Sequence, residues 1–249
     1  MKYSKLITIG FLPIMWTIYL IFEFSTGRIG SNNIIIGNIV LTILFTFVGY
    51  LIYLVSNKFP YGITTKQSIS TFSFLVIVDQ GLKLIINNFF FNRYFDIISD
   101  FLSFSPIINS TGSWLNARFG TGISFSLLNL INILALFLFL ELYRYVLYKN
   151  KKSFYFDMCF LFIFCGALCS LIDKLFYGGS LDFIGIGNLF VADIKDIYIN
   201  IGILFFLVAI SNAGYLNSND DTTLKDDFKN VQLFLSFAIQ DVFRITKKK

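Results

Sequence analysis

The residues best suited to chemistry in this sequence are two aspartates, Asp173 and Asp196, each at the end of a long apolar run. An antiparallel hairpin of those two runs brings both carboxyls to the same depth. Two carboxylates at close range in a low-dielectric site cannot both ionise, so one proton serves the pair. The ionised partner can then activate water while the protonated one polarises a carbonyl. The plainer role of an aspartate at a span end is a cap, and Asp196, just ahead of an apolar run, stands in a natural N-cap position. Matched depth across a hairpin is what distinguishes a working pair from two separate caps.

Asp79 and Lys83, four residues apart inside another apolar run, can neutralise each other on one helix face. Charges are costly in lipid and point into a bundle, where they form a structural ion pair or brace a site. The sequence has no histidine, which excludes Ser-His-Asp triads, Cys-His pairs and HExxH zinc sites. Cys159, Cys165 and Cys169 fall in one apolar run and read as small packing groups, so neither a disulfide, a metal nor any cofactor is expected. Gly120-Thr121-Gly122 is no phosphate loop, since no GK[ST] follows it. Gly166, Ala167, Gly178 and Gly179 mark close backbone approach or turns.

The elements that must position these residues are membrane helices. Of 249 residues, 56% are hydrophobic and only 14% charged, with a mean hydropathy of +0.72; a soluble domain is excluded. Six runs approach the roughly 20 residues a helix needs to cross the hydrocarbon core: 6–22, 33–55, 68–86, 123–140, 158–172 and 197–213. The first resembles a secretory leader, but Glu23, Phe24 and Arg28 stand where small cleavage-site residues belong, so it reads as a retained helix. The net charge of +5 is dispersed over short loops, which argues against nucleic acid. Lys2, Lys5, Lys58, Lys66, Arg144, Lys149, Lys151, Lys152 and the tail lysines all fall on one side, which places that side and both termini in the cytoplasm. The opposite side carries the stretch from Asn87 to Gly122, rich in Phe89, Phe90, Phe91, Tyr94, Phe95 and Trp114, where a small sheet or short helix is expected. The turn-rich joint around Lys58, Pro60, Tyr61 and Gly62 divides a two-span unit, 1–66, from a four-span core, 67–213. The tail, 214–249, is polar from Asn217 to Asp221. Phe228, Val231, Leu235, Ala238, Val242 and Ile245 then recur at helical spacing, consistent with an interfacial helix ending in Lys247 to Lys249 or with a partly ordered tail.

Over about residues 68 to 213, Cys165-Gly166-Ala167-Leu168-Cys169-Ser170-Leu171-Ile172-Asp173-Lys174, followed by Gly178 and by Asp182-Phe183, is similar to a GGALGNxxDR motif with its G...DF turn, and in this it resembles the signal peptidase II family, the prolipoprotein signal peptidases. Ala192-Asp193, running through Asp196 to Gly202, resembles the FNxAD motif; Asp79 to Lys83 resembles D-x-x-x-K; Gly120 to Ser126, with Gly122 and Phe125, resembles NxGAAFS. The resemblance implies a four-span intramembrane aspartyl peptidase, with Asp173 and Asp196 as the catalytic pair. Asp79, Lys83, Gly122, Phe125, Ser170, Lys174, Asp182 and Asp193 then support it. It also implies signal peptides of lipidated lipoprotein precursors as substrates, membrane lipid as surroundings, and an active site near the outer face of a bacterial cytoplasmic membrane. The family's asparagines are replaced at Gly120, Ser170 and Asp193, and its arginine by Lys174, which keeps charge but loses the planar fork. A protonated Asp193 can stand in for a lost amide. The presenilin-type Gly-Asp motif is absent, since Gly187 is followed by Asn188.

The fold class is thus an all-α six-span bundle with a small extracytoplasmic lid or sheet. Three other functions remain: a cation or proton carrier lined by Asp79, Lys83, Asp173 and Asp196, an idle relative that binds signal peptides, and a serine hydrolase with Lys83 as base. Inverted repeats, which would favour the carrier, are not visible.

Overall fold

Short polar residues set the helix starts. Ser31, Ser124 and Ser153 each accept a hydrogen bond from the backbone N–H three residues on, at Ile34, Leu127 and Phe156. Thr64 with Gln67, and Asp193 with Asp196, form reciprocal capping boxes. The computed structural model describes residues 2–111, 114–213 and 224–243. In chain order the elements are α1 (Lys2–Ser25), α2 (Asn32–Ser56), α3 (Thr65–Ile85), β1 (Phe95–Ile98), β2 (Leu102–Asn109), α4 (Trp114–Phe119), α5 (Phe125–Tyr148), α6 (Phe154–Phe176), β3 (Ser180–Ile186), β4 (Phe190–Ala192), α7 (Ile194–Asn212) and α8 (Leu224–Val242). Among the described residues six helices are long and apolar enough to cross a membrane, as the six apolar runs predict.

The helices overrun the apolar stretches. α5 continues to Tyr148 and α6 extends from Phe154 to Phe176, because the Ser153 cap and long interfacial side chains let helix persist past the hydrocarbon edge. Asp173 therefore lies inside the last turn of α6. α3 ends in a π-helical turn, Ile86–Phe90, that turns the chain toward the sheet.

Small residues fix the central contact between α6 and α7. A Cβ on Gly202 would stand 3.1 Å from the Ile163 backbone nitrogen, and one on Gly166 would stand 2.7 Å from Ile199 Cγ1. The two backbones approach as closely as membrane helices with small interface residues do. α3 and α5 flank α6, while α1 packs on both α2 and α7.

Between α3 and α5 the chain makes the β1–β2 hairpin and the short α4, both expected forms for that segment. The stretch between α6 and α7, where the glycines mark a turn, also supplies β3 and β4, giving an antiparallel sheet in the order β1-β2-β3-β4. Gly178 has a φ of +69°, and a Cβ on Gly179 would stand 2.8 Å from the Asn109 carbonyl oxygen, so glycine lets β3 start directly beside β2. Leu181 and Phe183 pack on Ile86, which ties the sheet to the end of α3. The tail, left open between a helix and a partly ordered segment, contains α8; Asn217 to Asp221, Ile245 and Lys247 to Lys249 lie outside the described residues, as does the Trp114 side chain.

Candidate active site

Four elements converge where the sheet meets the helix ends. The i,i+4 spacing on α3 puts Asp79 and Lys83 on one face, with Lys83 Nζ 2.9 Å from Asp79 Oδ2. The same ammonium lies 2.6 Å from Asp173 Oδ2 on α6 and 2.6 Å from Asp193 Oδ2 at the start of α7. All four side chains are fully buried. Gln80 completes this layer, donating from Nε2 to Asp79 Oδ2 at 2.9 Å and to Asp173 Oδ1 at 3.0 Å.

A second layer comes from the sheet. Strand alternation turns Leu181 and Phe183 to the core and leaves Ser180 and Asp182 on the opposite face. Asn109 is paired with Ser180 in register and reaches diagonally to donate from Nδ2 to Asp182 Oδ2 at 3.1 Å. The Ser180 hydroxyl donates to Asp182 Oδ1. Lys195 donates to Asp193 Oδ2 and to Ser180 Oγ, and its Nζ lies 3.1 Å from Asp173 Oδ2 and 3.7 Å from Asp182 Oδ1. Asp193 and Asp196 exchange backbone-to-carboxylate hydrogen bonds of 3.2 Å.

The carboxylates drawn into one group are Asp182, Asp193 and Asp196, with one oxygen of each within 4.8 Å of the others. Asp173 joins Asp193 through shared ammonium groups; each has an oxygen 2.6 Å from Lys83 Nζ, so those oxygens are at most twice that apart. Burial drives the Asp182 carboxyl above its usual range against the pull of Lys195. Burial also acts on Asp193, but Lys195 and Lys83 outweigh it and hold that carboxyl below the usual range. Two neighbouring carboxyls whose environments push them apart are the arrangement from which an acid and a base are made. The oxygens of Asp182, Asp193 and Asp196 are spaced to surround a cation, and the Lys195 ammonium supplies positive charge there.

The remaining predicted residues lie at the margin. Lys174 donates to Ser170 Oγ at 2.8 Å within α6 and makes no ion pair among the described residues. Gly122, at a φ of +68°, and Phe125, at the first turn of α5, take no part in the carboxylate network. Their loop is held by Asn116, whose side chain bonds Ile123 N and O at 3.1 and 2.8 Å. Lys195, Gln80, Asn109 and Ser180 were missed by the sequence reading. For Lys195 a signal existed, a lysine at the second position of an apolar helix. The other three needed the fold.

A family model of signal peptidase (SPase) II matches residues 71–212. A lipoprotein signal peptidase of Staphylococcus haemolyticus is 24% identical over 142 residues, covering 55% of this chain and 85% of the relative. Among solved structures, one described as a bacterial membrane enzyme at 1.9 Å resolution aligns with a TM-score of 0.50 and 22% identity, covering 65% of this chain and 98% of that one. Another of the same description at 2.3 Å aligns with a TM-score of 0.49 and 24% identity, over 66% and 99%. The matched residues hold every side chain of the carboxylate and lysine cluster and leave out α1 and α2. This chain belongs to the signal peptidase II family, as a multi-pass bacterial membrane peptidase of the aspartic type with additional apolar helices beyond the shared core.

Proposed function

We propose that this enzyme is an endopeptidase that cuts signal peptides from lipidated lipoprotein precursors at the outer face of the membrane, with Asp193 and Asp182 as its acid–base pair. The observation that carries the pairing is that Asp182 and Asp193, grouped with Asp196 within 4.8 Å, are the two of the three that share the Lys195 ammonium, in environments that push their carboxyls in opposite directions. This departs from the sequence-based pairing of Asp173 with Asp196. Asp173 lies outside the 4.8 Å group, with both lysines on Oδ2 and Gln80 on Oδ1, so it serves as a counter-ion. Asp196 makes no ion pair among the described residues, whereas Asp182 and Asp193 both pair with Lys195.

In the proposed reaction Asp193 removes a proton from water as the oxygen attacks the scissile carbonyl carbon, and Asp182 gives its proton to the carbonyl oxygen. The tetrahedral intermediate collapses as the C–N bond breaks; the proton held by Asp193 goes to the leaving nitrogen, and the hydroxyl proton returns to Asp182. The acid and amine products balance the water consumed. Exposed Phe89, Phe90, Tyr94 and Phe95 form an aromatic rim at the sheet end suited to the lipid interface, where a lipidated substrate resides. The lysine-rich connections at the opposite end favour a cytoplasmic location for both termini.

The test is to express Asp182→Asn, Asp193→Asn, Asp173→Asn and Asp196→Asn with a lipobox precursor and to read the new N-terminus by mass spectrometry. Loss of at least about 100-fold in cleavage is expected for Asp182→Asn and Asp193→Asn. Full processing by either variant would end the proposal.

A further inference from the structure

A lysine near the start of an apolar span is costly unless it is matched, and Lys195 is buried with its ammonium among the acids. Of the two lysines in the cluster, Lys83 touches Asp79, Asp173 and Asp193. Lys195 touches Asp193 directly, approaches Asp182 to 3.7 Å and shares Asp173 with Lys83. Among the described residues it alone forms ion pairs with both members of the proposed pair.

We propose that Lys195 is a positioning residue for the reaction: its ammonium keeps Asp193 the ionised base and so leaves the proton of the pair on Asp182, without touching substrate. The assignment rests on the Asp182–Asp193 reading above. Lys195 is not itself the base of a serine mechanism. Its three hydrogens face Asp193 Oδ2, Ser180 Oγ and Asp173 Oδ2, which leaves no lone pair for Ser180, and the Ser180 hydroxyl is turned to Asp182.

The charged groups around Lys195 set the sign of its effect. α3 contributes Asp79 and Lys83, α6 contributes Asp173 and Lys174, β3 contributes Asp182, and the start of α7 contributes Asp193 and Asp196. Removing the ammonium leaves every carboxylate in place with less compensation, so both members of the pair bind protons more tightly. Contact with Asp193 is closer than with Asp182, so Asp193 responds more. The bell-shaped pH profile therefore moves to higher pH and narrows, because its acid limb travels further than its basic limb.

The experiment measures kcat/KM against pH for the full chain in detergent on a lipobox peptide, comparing wild type with Lys195→Met, Lys195→Gln and Lys195→Arg. In the Met and Gln variants the acid limb is expected about one to three pH units higher, a tenfold or greater loss of kcat/KM on the acid side. Lys195→Arg restores the limb. The uncharged Gln variant, which keeps a polar contact for Ser180, carries the test if the Met variant fails to fold. An acid limb that stays with wild type in the uncharged variants overturns the inference, whatever happens to the plateau. Retained turnover in Asp182→Asn or Asp193→Asn instead removes the reading beneath it, so the two failures are distinguishable.

Discussion

Replacing Lys83 with Met removes a fully buried ammonium from three carboxylates, and the three do not lose equally. Asp173 and Asp193 keep Lys195 as a cationic partner. Asp79 loses its ion pair and keeps the Gln80 amide at 2.9 Å. Breaking a buried pair from one side costs about 3–5 kcal/mol, because the remaining charge stays desolvated. In a chain of this size each kcal/mol shifts the midpoint by about 2–4 °C, so the single variant is expected to melt roughly 6–20 °C below wild type. Adding Asp79→Asn discards the stranded charge, so the double variant should recover at least about 1 kcal/mol relative to Lys83→Met alone, a coupling in the range seen for contacting residues. Thermal unfolding of the four proteins of this cycle in one detergent gives all the terms. A fall of less than about 2 °C for Lys83→Met, or a double variant that loses the sum of the two single losses, would refute the claim that Asp79 is charged and held by Lys83.

Two further outcomes follow from the packing. Gly202→Leu places a side chain against Ile163 where α6 and α7 pack tightly, and overpacking of this kind costs about 1–3 kcal/mol; because Asp173 lies on α6 and Asp193 caps α7, cleavage should fall along with the melting temperature, and an unchanged rate would separate the site from this contact. Glu23, buried at the end of α1, lies 3.1 Å from Arg28 and 3.6 Å from Arg118, and Arg28 also donates to the Asn188 and Leu189 carbonyls. Glu23→Gln should weaken this tie between the added helices and the sheet end by about 1.5–3 kcal/mol, measured as faster proteolysis in the β3–β4 connection that carries Asn188 and Leu189; an unchanged proteolysis rate there would show that the tie does not hold it.

The six helices were legible because lipid demands about 20 apolar residues per crossing, a signal that no tertiary contact can disguise. Asp79 and Lys83 were legible as a buried pair for the complementary reason: a charge within such a run needs a partner inside the bundle. What could not be read was which carboxylates meet. That depends on β3, whose residues look like a glycine-bearing loop until Asn109 of β2 is known to lie beside Ser180. Asp182 is brought to Asp193 by strand register, and register is a long-range property. The sequence reading puts Asp196 at the N-cap of the last apolar run; the reciprocal bonds of 3.2 Å show instead that Asp193 is the cap and Asp196 lies within the first turn.

The same geometry separates a peptidase from a carrier. A carrier needs polar groups that continue across the bilayer, and the acidic residues of α6 lie at its two ends, Asp157 and Asp173. Sixteen residues of helix separate them, about 24 Å at 1.5 Å per residue. Asp157 is spoken for at its own end by Tyr143 at 2.9 Å and the Ile63 backbone at 2.7 Å. Between the two, Leu75, Cys165, Cys169 and Tyr198 form a buried layer with Phe72 and Phe162, and below it Met158, Leu204, Phe205 and Val208 form another. The Tyr198 hydroxyl in the upper layer donates to the Leu75 carbonyl at 3.1 Å rather than extending the carboxylate network. These apolar layers separate the aspartates at the sheet end from Asp157 at the other end of α6. A carboxylate cluster backed by apolar layers and rimmed by exposed aromatic residues fits a peptidase site open at one end better than a path that crosses the bilayer.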